Sequence, residues 1–222
     1  MPASTSAAAY YRGTAQAAAV YWGPTLIWPT ITTYWSEDFS SGTWNSWSTQ
    51  PGTGGTATVS SGVGIATRGA SSNWDIANSI ARYRAVTAAD YEIYIEWYKS
   101  TVWDTSFGLG FRFTGSDVEG GIMLWHNADT SWELAENGGS VAAPGTDTCV
   151  QAAATWHCTR VRLTGNRIQA RNWQKANTEP STWGIDYTGV SHTAAGNFGF
   201  MSIGGSNAPR EVRMDNLTAV SL

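Results

Sequence analysis

The sequence predicts an all-β domain made of two packed antiparallel sheets. Short runs of β-branched and aromatic residues recur along the chain, and clusters of Gly, Asn, Asp and Ser separate them, as in Asn137-Gly138-Gly139. Aromatic residues make up 13% of the 222 residues and charged residues only 14%, a balance typical of one well-filled globular core. Because these runs are short, numerous and evenly spaced, and no stretch has a helical period, two stacked sheets are favoured.

Ten strands are predicted from these runs. In chain order they span residues 56–60, 79–85, 91–98, 107–114, 121–127, 132–136, 159–164, 167–173, 198–203 and 211–220. Residues 161–168 predict a hairpin with Thr164-Gly165-Asn166 at the turn and its arginines directed outward.

Alternation within residues 91–98 predicts which side of that strand is buried. The odd positions, from Tyr91 to Trp97, are apolar and are expected to face the core. The even positions are expected to face solvent, and they are Glu92, Tyr94, Glu96 and Tyr98.

Residues 107–114 predict a strand with one large apolar face and one open face. The apolar face is predicted to hold Phe107, Leu109, Phe111 and Phe113. The other side carries Gly108, Gly110 and Arg112, so we expect an open sheet surface with room above the glycines.

The first 35 residues have a different character from the rest. Two aromatic-X-Gly units, Tyr11-Arg12-Gly13 and Tyr21-Trp22-Gly23, form a degenerate short repeat that predicts extended structure with turns. Such a segment is too short to build its own core, so it either packs on the main domain or docks onto another chain. Docking is favoured because exposed apolar segments usually mark an interface. We therefore divide the chain into an N-terminal anchoring arm, residues 1–35, and a β-sandwich, residues 36–222.

Charge and hydropathy exclude several classes of partner. The formal net charge of −4 opposes nucleic-acid binding, which needs a basic face to release counterions. No run approaches the roughly 18 apolar residues that span a bilayer, so no membrane contact is predicted. The N-terminus lacks a basic start and a leucine-rich stretch, so no secretory signal peptide is expected.

The cysteines and histidines leave two readings open. Cys149 and Cys158 flank a short segment, and a disulfide there would stabilise the fold by roughly 2.7 kcal/mol on the chain-entropy model. Two free buried thiols are an equal alternative. The three histidines, His126, His157 and His192, lack the spacing of a zinc site and are expected to be structural.

Several segments together resemble a known family. They are Trp156–Trp173, Glu179-Pro180-Ser181-Thr182-Trp183, Ala194–Phe200, Met214–Val220 and the opening Glu37-Asp38-Phe39. In this order they resemble the concanavalin A-like (laminin-G-like) jelly rolls of phage tail proteins, over residues 36 to 222. The resemblance implies a jelly-roll β-sandwich of two antiparallel sheets. The arm is similar to the leader repeats of minor tail proteins in phages of actinobacteria.

The resemblance implies a virion component at the tail tip that holds host surface sugars. The protein would be made in the host cytoplasm, would contact other virion proteins through the arm, and would be present in several copies as a homo-oligomer. Many copies turn weak recognition of a cell-wall glycan into strong attachment. The alternatives are a purely structural piece of tail or capsid, and a cell-wall glycosidase.

The aromatic residues indicate where a sugar would bind, because apolar C–H faces of sugars stack on aromatic rings while their hydroxyls bond to polar side chains. We assign Trp97, Trp156 and Trp183 to the core, and Trp103 and Trp132 to a groove edge. The candidate ligand-binding residues are Tyr94, Tyr98 and Trp125, with Glu92, Glu96 and Arg112 as polar partners.

The run Glu92-Ile93-Tyr94-Ile95-Glu96 resembles the Glu-X-Asp-X-Glu strand of retaining β-glucanases, with Tyr94 where that family has Asp. A retaining mechanism needs carboxyl groups about 5–5.5 Å apart. Residues four apart on a strand lie about 13 Å apart. No catalytic residue is therefore assigned, and glycosidase activity stays the minor alternative.

The resemblance also implies a structural Ca²⁺ that ties the first strand to the last, with Glu37, Asp38 and Asp215 as its ligands. Calcium takes 6–8 oxygen ligands, so carbonyl groups and water would complete the shell. The alternative is that these carboxylates cap turns at strand ends. No other cofactor is expected.

Overall fold

The computed structural model describes the chain in segments, within which every regular element is a β-strand. These segments are residues 20–22, 25–28, 31–44, 46–70, 79–100, 106–126, 132–141, 152–203 and 209–222. No helix with the length and apolar character needed to cross a bilayer occurs in them.

The strands follow one another with short connections. In chain order they are β1 (Val20–Trp22), β2 (Thr25–Trp28), β3 (Thr33–Glu37), β4 (Ser48–Thr49), β5 (Thr56–Ser60), β6 (Val63–Arg68), β7 (Ile80–Val86), β8 (Tyr91–Lys99), β9 (Ser106–Phe113), β10 (Ile122–His126), β11 (Trp132–Glu136), β12 (Gly139–Ser140), β13 (Trp156–Thr164), β14 (Arg167–Gln174), β15 (Ile185–Thr188), β16 (Gly196–Ile203) and β17 (Arg210–Ser221).

Two large antiparallel sheets form the sandwich. The seven-stranded sheet has the order β12-β11-β10-β9-β16-β7-β4, and the eight-stranded sheet has the order β15-β14-β13-β8-β17-β6-β5, with β3 also paired to β17. Strands β1 and β2 pair as a separate two-stranded sheet. The predicted all-β fold with two antiparallel sheets is confirmed.

The longest strand, β17, lies inside the eight-stranded sheet and pairs with three other strands. Its first half pairs with β6, its second half pairs with β3, and β8 runs along its other side. The register shifts between Asp215 and Thr218, where Asn216 has a φ of 48°. Strand β3 runs across the boundary that we drew between residues 35 and 36.

The core lies between the sheets, as the alternation in β8 predicts. Every odd residue of β8 from Tyr91 to Trp97 is fully buried. Close to β3, a cluster of aromatic side chains fills the space between the sheets. Within it, the ring centroids of Trp44 and Phe200 lie 5.6 Å apart. Burial of one such large apolar side chain stabilises the fold by about 1.5–3 kcal/mol.

Strand β9 departs from its predicted alternation at Arg112. Arg112 has a φ of 53°, and the pairing of β9 with β16 shifts register beside it, between Asn197 and Phe198. Such a bulge turns the following side chain to the opposite face. Phe113 therefore packs outside the main core, with its ring centroid 5.9 Å from that of Tyr83. The prediction that Phe113 shares a face with Phe111 is wrong.

The predicted open surface above the β9 glycines is filled. A Cβ on Gly108 would lie 2.6 Å from Met123 Cε and 2.6 Å from Trp125 Cε3. A Cβ on Gly110 would lie 2.6 Å from the carbonyl oxygen of Val118. Met123, Trp125 and Val118 therefore occupy the space directly above the two glycines.

The predicted hairpin is formed by β13 and β14. Thr164 pairs with Arg167, so the turn itself consists of Gly165 and Asn166. Gly165 has a φ of 53°, a conformation that glycine adopts without steric cost.

Candidate functional site

Four of the predicted ligand-binding residues, Glu92, Tyr94, Glu96 and Tyr98, lie on the outer face of the eight-stranded sheet. We use the name "outer face" for the solvent side of β8, of its neighbours β13 and β17, and of β14, which lies beyond β13. The register places Tyr94 beside Arg160, Glu96 beside Cys158, and Tyr98 beside Trp156. On the other flank of β8, Asp215 lies beside Glu96 and Arg213 beside Tyr98.

A pair of aromatic rings lies at one end of this face. The ring centroids of Tyr98 and Trp156 are 5.9 Å apart, with 47° between the planes. Lys175 Nζ lies 5.6 Å from the Trp156 ring and Arg213 Cζ lies 5.2 Å from the Tyr98 ring. Both rings are half-buried, so a partly exposed aromatic surface is bounded by a cation at each end.

Tyr94 occupies the middle of the face. Its hydroxyl donates to Glu96 Oε1 at 3.0 Å and lies 3.2 Å from Cys158 Sγ. Arg160 Cζ lies 5.3 Å from the Tyr94 ring centroid, and the ring of Trp173 lies 6.1 Å away. Burial, together with Cys158 and Glu96, raises the pKa of Tyr94, so its phenol remains protonated.

Glu92 and Glu179 hold the arginines of β13 and β14 in place. Glu92 accepts hydrogen bonds from Arg160 Nη1 at 2.5 Å and from Arg162 Nη2 at 2.8 Å. Glu179 accepts from Arg160 Nε at 2.7 Å and also pairs with Arg171. Burial alone would raise the pKa of Glu179, but its hydrogen bonds and charge interactions with these two arginines hold it below the usual value.

Glu96 is engaged on all sides. Its carboxylate accepts from Lys175 Nζ at 2.5 Å, from Asn216 Nδ2 at 3.0 Å and from the Tyr94 hydroxyl. Glu96 is only 7% exposed and Glu92 only 9%. The prediction of their side of the sheet is correct, but the expectation that they face open solvent is wrong. Longer cationic side chains from neighbouring strands cover both carboxylates.

Two tryptophans that we assigned to the core belong to the outer face. Trp156 lies against Tyr98, and Trp183 lies under Arg162 and Arg171, whose Cζ atoms are 5.2 and 4.4 Å from its ring. The register of β13 on β8 could have indicated this for Trp156, since it pairs with an outward residue. The assignment of Trp97 to the core is confirmed.

The remaining tryptophans of the groove prediction lie elsewhere. Trp132, expected at a groove edge, is buried in the main core. Trp103 lies outside the described residues.

The predicted ligand set divides between opposite sides of the sandwich. Trp125 belongs to β10 in the seven-stranded sheet, where it lines a hollow of about 250 Å³ together with Met123 and Glu119. Burial, with a further contribution from Asp117, raises the pKa of Glu119. The structure therefore brings Glu92, Tyr94, Glu96 and Tyr98 together but does not bring Trp125 to them.

Arg112 is a buried structural residue, and the expectation that it lies on an open sheet surface is wrong. Its guanidinium donates to the carbonyl oxygens of Ala89 at 2.8 Å, Gly165 at 2.6 Å and His192 at 2.9 Å. It also pairs with Asp90 at 3.1 Å. Through these bonds one buried guanidinium connects loops that belong to the two sheets.

The carboxylates proposed as calcium ligands do not fit a shared metal shell. Glu37 Oε1 accepts from the Phe39 amide at 3.0 Å, and Asp38 Oδ1 accepts from the Ser40 amide at 3.0 Å. Asp215 accepts from the Asn216 amide, and burial raises its pKa. Within the described segments no three acidic, His or Cys side chains are close enough to hold a metal ion. The observed bonds fit the alternative of turn capping.

The structure describes only one of the two cysteines, Cys158. Cys158 is a free, buried thiol, and burial raises its pKa above the usual value. Cys149 lies outside the described residues, so the disulfide stays a prediction.

Comparison with known proteins finds solved structures of similar fold. No protein-family model matches the sequence, and no curated protein matches it significantly. The exoplasmic/lumenal domain of VIP36 in its Ca²⁺/Man3GlcNAc-bound form has a TM-score of 0.59 at 12% identity, with 86% of this chain and 90% of that chain covered. The carbohydrate-binding module CBM66 from Bacillus subtilis gives 0.56 at 15% identity, covering 79% and 96%.

A phage structure has the same fold. The CBM2 module of the evolved Dit protein of Lactobacillus casei BL23 phage J-1 has a TM-score of 0.60 at 10% identity, with 86% of this chain and 95% of that chain covered. Such low identities report the fold alone. The chain is thus an all-β sandwich of two antiparallel sheets, similar in fold to the VIP36 domain and to the CBM66 and phage CBM2 modules.

Proposed function

We propose that this protein is a non-catalytic carbohydrate-binding module whose glycan site is the outer face, centred on Trp156 and Tyr98. The observation that carries the proposal is the half-buried pair of rings, 5.9 Å apart, with Lys175 and Arg213 beside them. Pyranose rings have apolar C–H faces that stack on such rings, whereas their hydroxyls need charged or polar partners at the rim.

The ion pairs around the rings favour binding because they order the side chains in advance. Lys175 is held by Glu96 at 2.5 Å, and Arg213 is held by Glu211 at 2.9 Å. A ligand that meets side chains already in place loses less conformational entropy on binding. The pairs leave further N–H donors of Lys175 and Arg213 free for sugar hydroxyls.

The structural neighbours support this choice of ligand class. One is a sugar-bound form of VIP36, one is a carbohydrate-binding module, and one is a module of a phage Dit protein. With the phage module as support, we further propose that the protein acts in a phage virion at the tail tip. There, the 1–35 arm anchors it to other virion proteins and several copies present their glycan sites together.

A glycosidase function is not favoured by the carboxylates of β8. Glu92 is occupied by Arg160 and Arg162, and Glu96 by Lys175 and Asn216. Neither carboxylate is therefore presented to a substrate as a free acid or nucleophile.

A glycan array probed with the multimerised full chain tests the proposal. We expect binding to cell-wall glycans, and a loss of at least tenfold in apparent affinity in Trp156→Ala and Tyr98→Ala, because the stacking surface is removed. Trp125→Ala, on the opposite sheet, is the matched control and should bind as the native chain does. If Trp125→Ala alone weakens binding, the proposed site is wrong. If no glycan binds, the proposed function is wrong and a purely structural role is favoured.

A further inference from the structure

Three arginines and a tryptophan form a cluster on the outer face, towards the end of β13 that is far from Trp156. We call Arg160, Arg162, Arg171 and Trp183 the arginine cluster. Trp156 and Arg162 are six residues apart on β13, so their Cα atoms lie about 20 Å apart. The cluster is accessible, since the side chains of Arg162 and Arg171 are 41% and 18% exposed and Trp183 is half-buried.

Positive charge is in excess within the arginine cluster. Glu92 pairs with Arg160 and with Arg162. Glu179 pairs with Arg160 and with Arg171. Among the described residues no further carboxylate pairs with these arginines, so three guanidinium groups share two carboxylates. One positive charge is therefore left without a counter-ion.

The opposite end of the outer face, beside the rings of Trp156 and Tyr98, has a balanced charge. There, Lys175 pairs with Glu96, and Arg213 pairs with Glu211. Each cation at this end therefore has a carboxylate of its own. A negatively charged group of a ligand would gain more from the arginine cluster, where charge is unbalanced, than from the neighbourhood of the two rings.

Two of the guanidinium groups converge on one indole ring. The Cζ atoms of Arg162 and Arg171 lie 5.2 and 4.4 Å from the ring centroid of Trp183, so the two positive groups are close to each other. Arg162 donates to Glu92 through Nε and Nη2, and no acceptor in the described part of the chain pairs with its Nη1. Two neighbouring guanidinium groups with an accessible N–H group to spare fit an anion that bridges them.

We propose that the glycan bound by the outer face is anionic, and that Arg162 and Arg171 hold its carboxylate or phosphate group. This inference rests on the proposed function, since it takes the outer face as the glycan site and names the class of its ligand. A planar guanidinium presents N–H groups that match the oxygens of either anion. A glycan of several sugars stacks one unit on Trp156 and places its acidic group about 20 Å away along β13.

An array that carries acidic oligosaccharides beside their neutral counterparts tests this inference on the full chain. The pairs are hyaluronan oligomers with their carboxyl-reduced forms, and phosphorylated mannan oligomers with their phosphatase-treated forms. We expect the acidic member of at least one pair to bind tenfold or more tighter, and the pair that responds identifies the group as a carboxylate or a phosphate. If the neutral members bind as tightly as the acidic ones, this inference is wrong while the proposed function stands. If no glycan binds on this array or on the array of cell-wall glycans, both are wrong.

Calorimetric titration of variants with the hyaluronan or mannan pair that responds tests where the acidic group binds. Arg162→Gln should weaken the acidic member at least tenfold and leave the neutral member unchanged, because Arg160 still holds Glu92. Arg167→Gln is the matched control, since it removes the same charge from a neighbouring exposed arginine that has Asp186 as its own partner. Equal losses in the two variants, or unchanged binding of the acidic member by Arg162→Gln, would overturn the inference.

Two further variants separate recognition of the anion from stacking on the rings. Arg162→Lys keeps the charge but loses the planar fork, so it should recover only part of the affinity that Arg162→Gln loses. Trp156→Ala should weaken the acidic and the neutral member by the same factor, because its ring stacks on a sugar and does not contact the acidic group. If Trp156→Ala abolishes the preference for the acidic member and Arg162→Gln keeps it, the arginine cluster is not the anion site and the inference is wrong.

Discussion

Arg112 shows how one residue can belong to the fold although its type and position indicate a binding surface. The side chain is fully buried, and three backbone carbonyl oxygens and Asp90 surround its guanidinium. The carbonyl groups come from residues 89, 165 and 192, which are far apart in sequence. Its positive φ also creates the bulge that turns Phe113 outward. No pattern in residues 107–114 indicates this conformation.

Replacement of Arg112 by leucine should lower the free energy of unfolding by about 3–5 kcal/mol, because three backbone carbonyl oxygens and Asp90 lose a buried, charged donor. Urea denaturation measures the change. Arg167→Leu is the matched control, since Arg167 pairs with Asp186 at the exposed end of the β13–β14 hairpin, and its loss should have little effect. A similar loss in both variants would contradict the structural role given to Arg112.

Strand β6 shows what limits the prediction of elements. It was not predicted because its sequence, Val63 to Arg68, contains a glycine and two polar residues and lacks a continuous apolar run. It forms because β5 and β17 pair with it on both sides. Strand β11 was predicted with its observed bounds, because turn residues bound a short run that begins with Trp132 and includes Leu134 and Ala135. Strands that depend on their partners are the ones that local patterns miss.

The glycine in β6 is required by the aromatic cluster above it. A Cβ on Gly64 would lie 2.5 Å from Phe39 Cζ and 2.7 Å from Trp44 Cζ2. Gly64→Ala should therefore lower the free energy of unfolding by about 1–3 kcal/mol through overpacking. Gly139→Ala serves as the control in the same denaturation experiment, because the nearest atom to its Cβ is 3.6 Å away. Equal stability of the two variants would show that the cluster adjusts without cost.

The rings of Trp97, His126 and His157 lie in contact where the two sheets pack together. Trp97 and His157 of the eight-stranded sheet stack with centroids 4.8 Å apart, and His126 of the seven-stranded sheet lies 4.3 Å from Trp97. Burial, with a further effect from Lys99 and from His157, lowers the pKa of His126 well below its usual value. Burial also lowers the pKa of His157. Both imidazoles are therefore neutral where the sheets join.

This junction predicts loss of stability in mild acid. In the unfolded chain both histidines take up protons below about pH 6.5, whereas the folded state resists protonation, so stability falls as the pH drops from about 6.5 towards 5. The slope approaches about 1.4 kcal/mol per pH unit for each histidine. Urea denaturation at several pH values should show a shallower slope for His126→Phe than for the native chain. An unchanged slope would exclude His126 as a cause of acid sensitivity.

The sequence by itself determined the all-β class, most of the strands and the inward side of β8. These are local properties, since an alternation of period two and the turn residues between runs can be read along one segment. The same pattern placed Glu92, Tyr94, Glu96 and Tyr98 on one face, as the structure shows.

Only the tertiary structure decided which of these side chains solvent can reach. Glu92 and Glu96 are covered because Arg160 and Lys175 come across from β13 and from the end of β14, and this depends on register between strands distant in sequence. The same is true of Trp125, which lies on the opposite sheet. Exposure depends on what neighbouring strands place over a residue, and no single segment contains that information.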